Sequence, residues 1–125
     1  GACVVALGVQ AAGLMGTDQK LLNRIKESAE HSGERVWELP MYEEYNEMIK
    51  SDFADMTNIG HSGPTKGAAG AITGAKFLEA VIEKSKSWVH LDIAGTAWDL
   101  KSRPFRGPGA TGVIIKTLVE LIASA

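Results

Sequence analysis

Two runs in this chain are apolar enough to be buried strands. Ala2 to Leu7 is small or branched throughout, carries no charge and ends at Gly8. Trp88 to Ile93 is the second, and it runs into a small turn, Ala94-Gly-Thr-Ala97. Between and after them the apolar spacing changes to that of helices. Leu21, Leu22, Ile25 and Ala29 share one helical face, with Thr17 as the cap, Asp18 in the electropositive first turn and Gly33 as the stop. Within Trp37 to Ile49, Pro40 is placed to open a short second helix whose Met41, Tyr45, Met48 and Ile49 share a face. Thr65 to Lys84 is rich in Ala and Gly, with a broad apolar face of Ala68, Ile72, Ala75, Phe77, Leu78, Val81 and Ile82. Gly67, Gly70 and Gly74 each cost a helix about 1 kcal/mol relative to Ala, which points to close packing there. Ala110 to Ala123 predicts a final helix burying Val113, Ile114, Leu118, Leu121 and Ile122. Gly13 to Gly16, Ser51 to Thr65 and Trp98 to Gly109 read as loops.

The order is β-α-α-α-β-α, which predicts an α/β fold with a mixed or parallel sheet flanked by helices. Two strands are too few for a stable sheet, so the fold is incomplete as a domain. The missing strands are expected from sequence before Gly1, with Ala2 to Leu7 as the edge they pair with. An isolated chain with that edge bare is expected to associate.

Composition narrows the function classes. A chain of 125 residues holds one small core. With 13 basic and 15 acidic residues the net charge is -2, which offers nothing to nucleic acid or an anionic membrane. The longest unbroken apolar run, Cys3 to Leu7, is far too short to span a bilayer, and no signal peptide is visible. Cys3 is the single cysteine and fits a reducing compartment such as the cytoplasm.

Candidate chemistry is thin. His90 and Asp92 stand two apart on a predicted strand, facing the same way, and His61 in a loop could join them around a metal. A His and an Asp near a strand end more often bind backbone groups or each other. Asp52 and Asp55 read as solvated or capping groups rather than an acid and base pair. Glu43, Glu44 and Glu47 read as a solvated helix face. Cys3 lies in an apolar run with no basic neighbour and reads as an inert core thiol. Gly109-Ala-Thr-Gly112 opens a helix and could hold an anion, but it lacks the Lys and spacing of a P-loop, and tight packing is the better reading. Arg103 and Arg106 flank Pro104 as surface charges. There is no G-x-S-x-G, H-E-x-x-H or C-x-x-C.

As a string, Trp88-Val-His-Leu-Asp-Ile-Ala-Gly-Thr-Ala97 resembles the C-terminal region of the leucyl aminopeptidases, the two-metal M17 peptidases. Gly1-Ala-Cys-Val-Val-Ala-Leu-Gly8, Gly33-Glu-Arg-Val-Trp-Glu-Leu-Pro40, Ile49-Lys-Ser-Asp52 with Ala54-Asp55, Ala69-Gly-Ala-Ile-Thr73 and Gly109-Ala-Thr-Gly112 match the same family in order. The resemblance covers essentially the whole chain and implies residues 1–125 are the C-terminal portion of the catalytic domain. It implies removal of N-terminal residues such as Leu from peptides, with two divalent metal ions, Zn or Mn, and a homo-hexameric parent in the cytoplasm. The family's N-T-D-A-E-G-R segment, which carries several metal ligands, is absent here, so no catalytic or metal residue carries over. The isolated chain is accordingly expected to be inactive and to bind metal weakly. What carries over is pocket wall: Gly1, Ala94 and Ala97 match residues lining the substrate side-chain pocket. Some relatives carry a bulkier Met where Ala97 stands. The rival readings are a non-catalytic α/β interaction module and, less well supported, a metal-dependent hydrolase using His61, His90 and Asp92.

Overall fold

The structure, a computed structural model, describes residues 1–60, 67–83, 86–102 and 104–125. Its central strand is one the hydrophobic pattern conceals. Strand β1 (Ala12–Gly16) lies between β2 (Val36–Glu38) and β3 (Val89–Asp92). β1 and β2 are parallel, with Ala12 opposite Val36; β1 and β3 are antiparallel, with Leu14 opposite Leu91 and Gly16 opposite Val89. The mixed sheet flanked by helices is therefore present, built from three strands rather than two. The segment Gly13 to Gly16, expected as a loop, supplies most of β1. Two glycines in five residues disguise it as a turn. Strand pairing on both edges overrides that local preference.

Helix α2 (Gln19–Ser32) carries the chain from β1 to the parallel β2. Leu14 packs with Leu22 and Ile25 of α2, and Val36, Val89, Leu91 and Leu121 close around them. Leu121 belongs to helix α4 (Ile115–Ala123), so α2 and α4 cover one face of the sheet. On the other face stands helix α1 (Ala2–Leu7), the run expected as a strand. Only Cys3 of that run is buried, and Val5 is 89% exposed, which suits a helix lying on a sheet rather than a strand within one. Its backbone bonds close locally, Val5 N to Gly1 O at 3.1 Å and Gly8 N to Val4 O at 2.8 Å. The expected edge at Ala2 to Leu7 does not exist; among the described residues the sheet's edges are β2 and β3.

Helix α3 (Gly70–Glu79) packs beside α1 and is shorter than the expected Thr65 to Lys84. A Cβ on Gly70 would lie 2.8 Å from Ala2 Cβ, so close packing holds at that glycine, while Gly67 and Gly74 have open space instead. Val81 and Leu78, expected inside, are exposed. The segment Trp37 to Ile49 divides between β2 and a 3-10 helix (Glu43–Ile49), which begins after Tyr42 rather than at Pro40. Within it Ile49 is buried and Tyr45 and Met48 are half-buried, while Met41 lies before it. The expected loop Trp98 to Gly109 is a hairpin of β4 (Trp98–Asp99) and β5 (Gly109–Ala110), closed by an ion pair between Arg106 and Asp99.

Helix α4 begins at Ile115, not Ala110, because Ala110 pairs with Trp98 and Ile114 sits in the left-handed region at φ 71°. That conformation costs a β-branched residue about 1–3 kcal/mol unless its surroundings impose it. Here they do. Gly33 ends α2 in the left-handed conformation; its N–H donates to Glu30 O and the next N–H, of Glu34, to Ala29 O. This is a Schellman motif, and it swings Glu34 toward the start of α4. One Glu34 carboxylate oxygen accepts from Ile114 N at 2.9 Å. The other accepts from Thr117 N at 2.9 Å and from the Thr117 hydroxyl at 2.7 Å. Thr117 is wholly buried, with Ser32 Oγ 3.0 Å from its hydroxyl. The inward face of α4 is thus partly polar. Leu118 and Ile122, expected in the core, are left 41% and 74% exposed. The cap comes from 80 residues upstream, and no local residue provides one.

The α2 cap also differs in detail from the expectation. Asp18, not Thr17, is the N-cap, accepting from Lys20 N at 2.9 Å and Leu21 N at 3.2 Å. Ser87 Oγ donates to the same carboxylate at 2.5 Å. The Ser87 hydroxyl first, then the Leu21 amide, hold the Asp18 carboxyl below its ordinary 3.8.

Two outcomes follow for a full-length protein carrying this chain. Glu34→Ala leaves the Ile114 and Thr117 amides without their acceptor and removes a hydrogen bond from the buried Thr117 hydroxyl, and is expected to lower stability by about 2–4 kcal/mol, read as a lower urea midpoint. Asp18→Asn is expected to lower the urea midpoint near neutral pH. A carboxyl depressed in the folded state stabilises above its unfolded pKa, and that contribution is lost as pH falls through the folded value. The gap between wild type and Asp18→Asn should therefore close in strong acid.

Candidate functional site

The turn after β3 is an irregular segment next to the sheet that is closely bonded along its length. Asp92 ends the strand, and its Oδ1 accepts from Ala94 N at 3.0 Å, an Asx turn that reverses the chain. Thr96 N and Ala97 N then both donate to Ile93 O at 2.9 Å. Ala94 is exposed, Gly95 buried and Ala97 half-buried. Gly95 is backed onto the C-terminus of α1 so closely that a Cβ there would collide with the carbonyl oxygen of Gly8. At the exit, Thr111 N donates to Ala97 O at 2.9 Å and Thr111 Oγ1 to Thr96 O at 2.7 Å. The turn is thus held at its entry, its back and its exit.

Two concavities adjoin it. A cleft of about 400 Å³ on the α1 and α3 face is lined by Gly1, Asn58, Gly70, Phe77, His90 and Asp92 among others. A more polar one of about 560 Å³ lies behind the turn, between Arg35, Thr96, Asp99, Arg106, Thr111 and Lys116. Gly1 thus shares a cleft with the strand that delivers the turn, while Ala94 and Ala97 stand just beyond Asp92 and do not line that cleft.

His90 and Asp92 face the same side of the sheet, as their spacing predicts, but they are engaged separately. The His90 ring stacks on Trp88 at 6.3 Å between centroids, and Asp92 holds its own turn. His61 and Arg103 lie outside the described residues. Among the described residues no three His, Cys, Asp or Glu side chains converge to hold a metal ion. Asp52 and Asp55 are exposed beside Ser51, whose Oγ accepts from Phe53 N and Ala54 N. Glu43, Glu44 and Glu47 are exposed. Cys3 is 2% exposed with its Sγ 3.8 Å from Asp92 O, and burial first, then the Asp92 charge, pushes the thiol above its ordinary 9.0. It stays a protonated core thiol near neutral pH. Gly109 to Gly112 forms β5 and the approach to α4 rather than a helix start, and Arg106 ties that hairpin through Asp99 and Thr111 O rather than lying free. Thr111 and Glu34 escape sequence reasoning, since nothing in the order of residues says that either reaches a segment so far from it.

No helix among the described residues is long and apolar enough to cross a membrane. The family model described as "Cytosol aminopeptidase family, catalytic domain" matches residues 1–119. A probable cytosol aminopeptidase of Geobacter sulfurreducens is 50% identical over 122 residues, covering 98% of this chain and 23% of the relative. One from Chlorobaculum tepidum is 49% identical with the same coverage. Among solved structures, a tomato leucine aminopeptidase mutant superposes with a TM-score of 0.88 at 41% identity, covering 100% of this chain and 23% of that one. The chain therefore spans about a quarter of the length of the curated relatives it matches. With the family match running from Gly1 to residue 119 and the fold agreeing over the whole chain, this chain belongs to the cytosol aminopeptidase family.

Proposed function

We propose that residues 1–125 are the C-terminal portion of the catalytic domain of a cytoplasmic, metal-dependent aminopeptidase that removes N-terminal residues such as Leu from peptides. In this reading the chain contributes scaffold and pocket wall. Gly1, Ala94 and Ala97 form part of the wall around the substrate side chain. The two divalent ions, Zn or Mn, are held by side chains outside this chain, and the whole protein assembles as a homo-hexamer. The isolated chain, lacking those side chains, does not hydrolyse peptides.

One observation carries the reading: in a chain of this family, the turn of small residues at the carboxyl end of β3 is held at its entry, back and exit. Ala94 and Ala97 offer only methyl groups, which leave volume for a large apolar side chain beside them. The turn's one carboxylate, Asp92, is occupied by the Ala94 amide, which argues for a positioning role there rather than proton transfer.

The full-length protein is expected to release p-nitroaniline from leucyl-p-nitroanilide and to lose that activity on treatment with a chelator. In the same protein Ala97→Phe fills space that only large substrates use. A lost methylene or two of fit changes kcat/KM by about 10- to 200-fold. Cleavage of leucyl and phenylalanyl substrates should fall by that order while alanyl substrates change little. An unchanged Leu-to-Ala ratio in a folded Ala97→Phe protein would place Ala97 outside the pocket.

A further inference from the structure

We propose that Thr111 is a positioning residue for substrate selectivity, and that its hydroxyl fixes the depth of the pocket by holding the backbone of the Ala94–Ala97 turn. The inference rests on the reading that this turn walls the substrate pocket. The turn's own bonds all run inward, to Ile93 O and Asp92 Oδ1. Its outward carbonyls, Thr96 O and Ala97 O, are taken by Thr111, through Oγ1 at 2.7 Å and through N at 2.9 Å. Among the described residues, Thr111 has the one side chain from outside the turn recorded on those carbonyls.

Thr111 is itself fixed on its far side. Val113 N donates to its Oγ1 at 3.2 Å, which directs the hydroxyl proton toward Thr96 O. Arg106 Nη1 donates to its carbonyl at 3.2 Å. One residue further along, Ile114 is locked by Glu34. The hydroxyl therefore sits between a rigid helix start and a turn that has no regular structure of its own. On the opposite side the Gly8 carbonyl stands against Gly95 and blocks retreat toward α1. The Thr111 hydroxyl ties the turn's outward carbonyl to the start of α4 and so opposes any displacement of the turn from that anchor. A substrate methyl scarcely reaches such a wall; an isobutyl group packs against it. Losing the hydroxyl should therefore weaken large substrates selectively.

The test uses the full-length protein. Thr111→Val keeps the shape and the backbone N–H but removes the hydroxyl; Thr111→Ser restores it. Thr111→Val is expected to lower the Leu-to-Ala ratio of kcat/KM by about 3- to 10-fold, the scale of one hydrogen bond, mainly through a higher KM for the leucyl substrate. Thr111→Ser should return the ratio to within about twofold of wild type. If Thr111→Val does not accumulate as folded protein, Thr111→Ala gives the same comparison. An unchanged ratio, an equal loss on both substrates, or a Ser variant that behaves like Val would overturn the proposal. Ala97→Phe separates the two levels. If it shifts the ratio and Thr111→Val does not, the pocket reading stands and the role of Thr111 falls. If neither shifts it, the pocket reading itself fails.

Discussion

Strand β1 is hydrogen-bonded on both edges and covered on both faces, and the other layers are placed by how closely they approach it. Ala12, Leu14 and Met15 have no exposed surface. Gly13 lies against Cys3 Sγ of α1, where a Cβ would come within 3.0 Å, and Gly16 lies against the Trp88 carbonyl, where one would come within 2.6 Å. A side chain at either position would push away α1 on one face or the start of β3 at one edge. The bare backbone that makes this segment look like a loop is what lets two layers touch it. Leu14, on the other face, anchors α2 and α4 through Leu22, Ile25 and Leu121.

From that centre a second chain of contacts leads to the candidate site. The Schellman turn at Gly33 aims Glu34 at the start of α4, and the carboxylate takes the amides that the helix leaves bare. A charge at a helix N-terminus also meets the positive end of the helix dipole. The arrangement sustains Ile114 in a conformation that β-branched residues avoid. It leaves Thr111 and the β4–β5 hairpin beside the turn after β3, so that turn is coupled through one threonine to the α2–α4 layer.

The polar groups beside the turn are already engaged. Asp92, which with His90 makes the most metal-like pair in the sequence, is occupied by the Ala94 amide, and His90 stacks on an indole. Cys3 is packed and its thiol pushed up. What these residues do show is structural: small side chains at the end of β3, held by backbone bonds.

The sequence by itself determined the features that depend on neighbours a few residues apart. The face of α2, its stop at Gly33, the strand Val89–Asp92, the inner side of the 3-10 helix and the α/β class all follow from period and punctuation. So do the family likeness and the small residues of the turn, which are carried by short strings. What only the tertiary structure decided depends on partners far along the chain. Ala2 to Leu7 has a β-like composition, yet it is a helix because one thiol is its only buried residue and the sheet needs a cover there. Gly13 to Gly16 is turn-like, yet it is the central strand because β2 and β3 supply bonds on both edges. Helix α4 starts late because Glu34 fixes where its amides become satisfied. Local preferences of this kind are worth about 1 kcal/mol or less per residue, and long-range pairing and burial outweigh them.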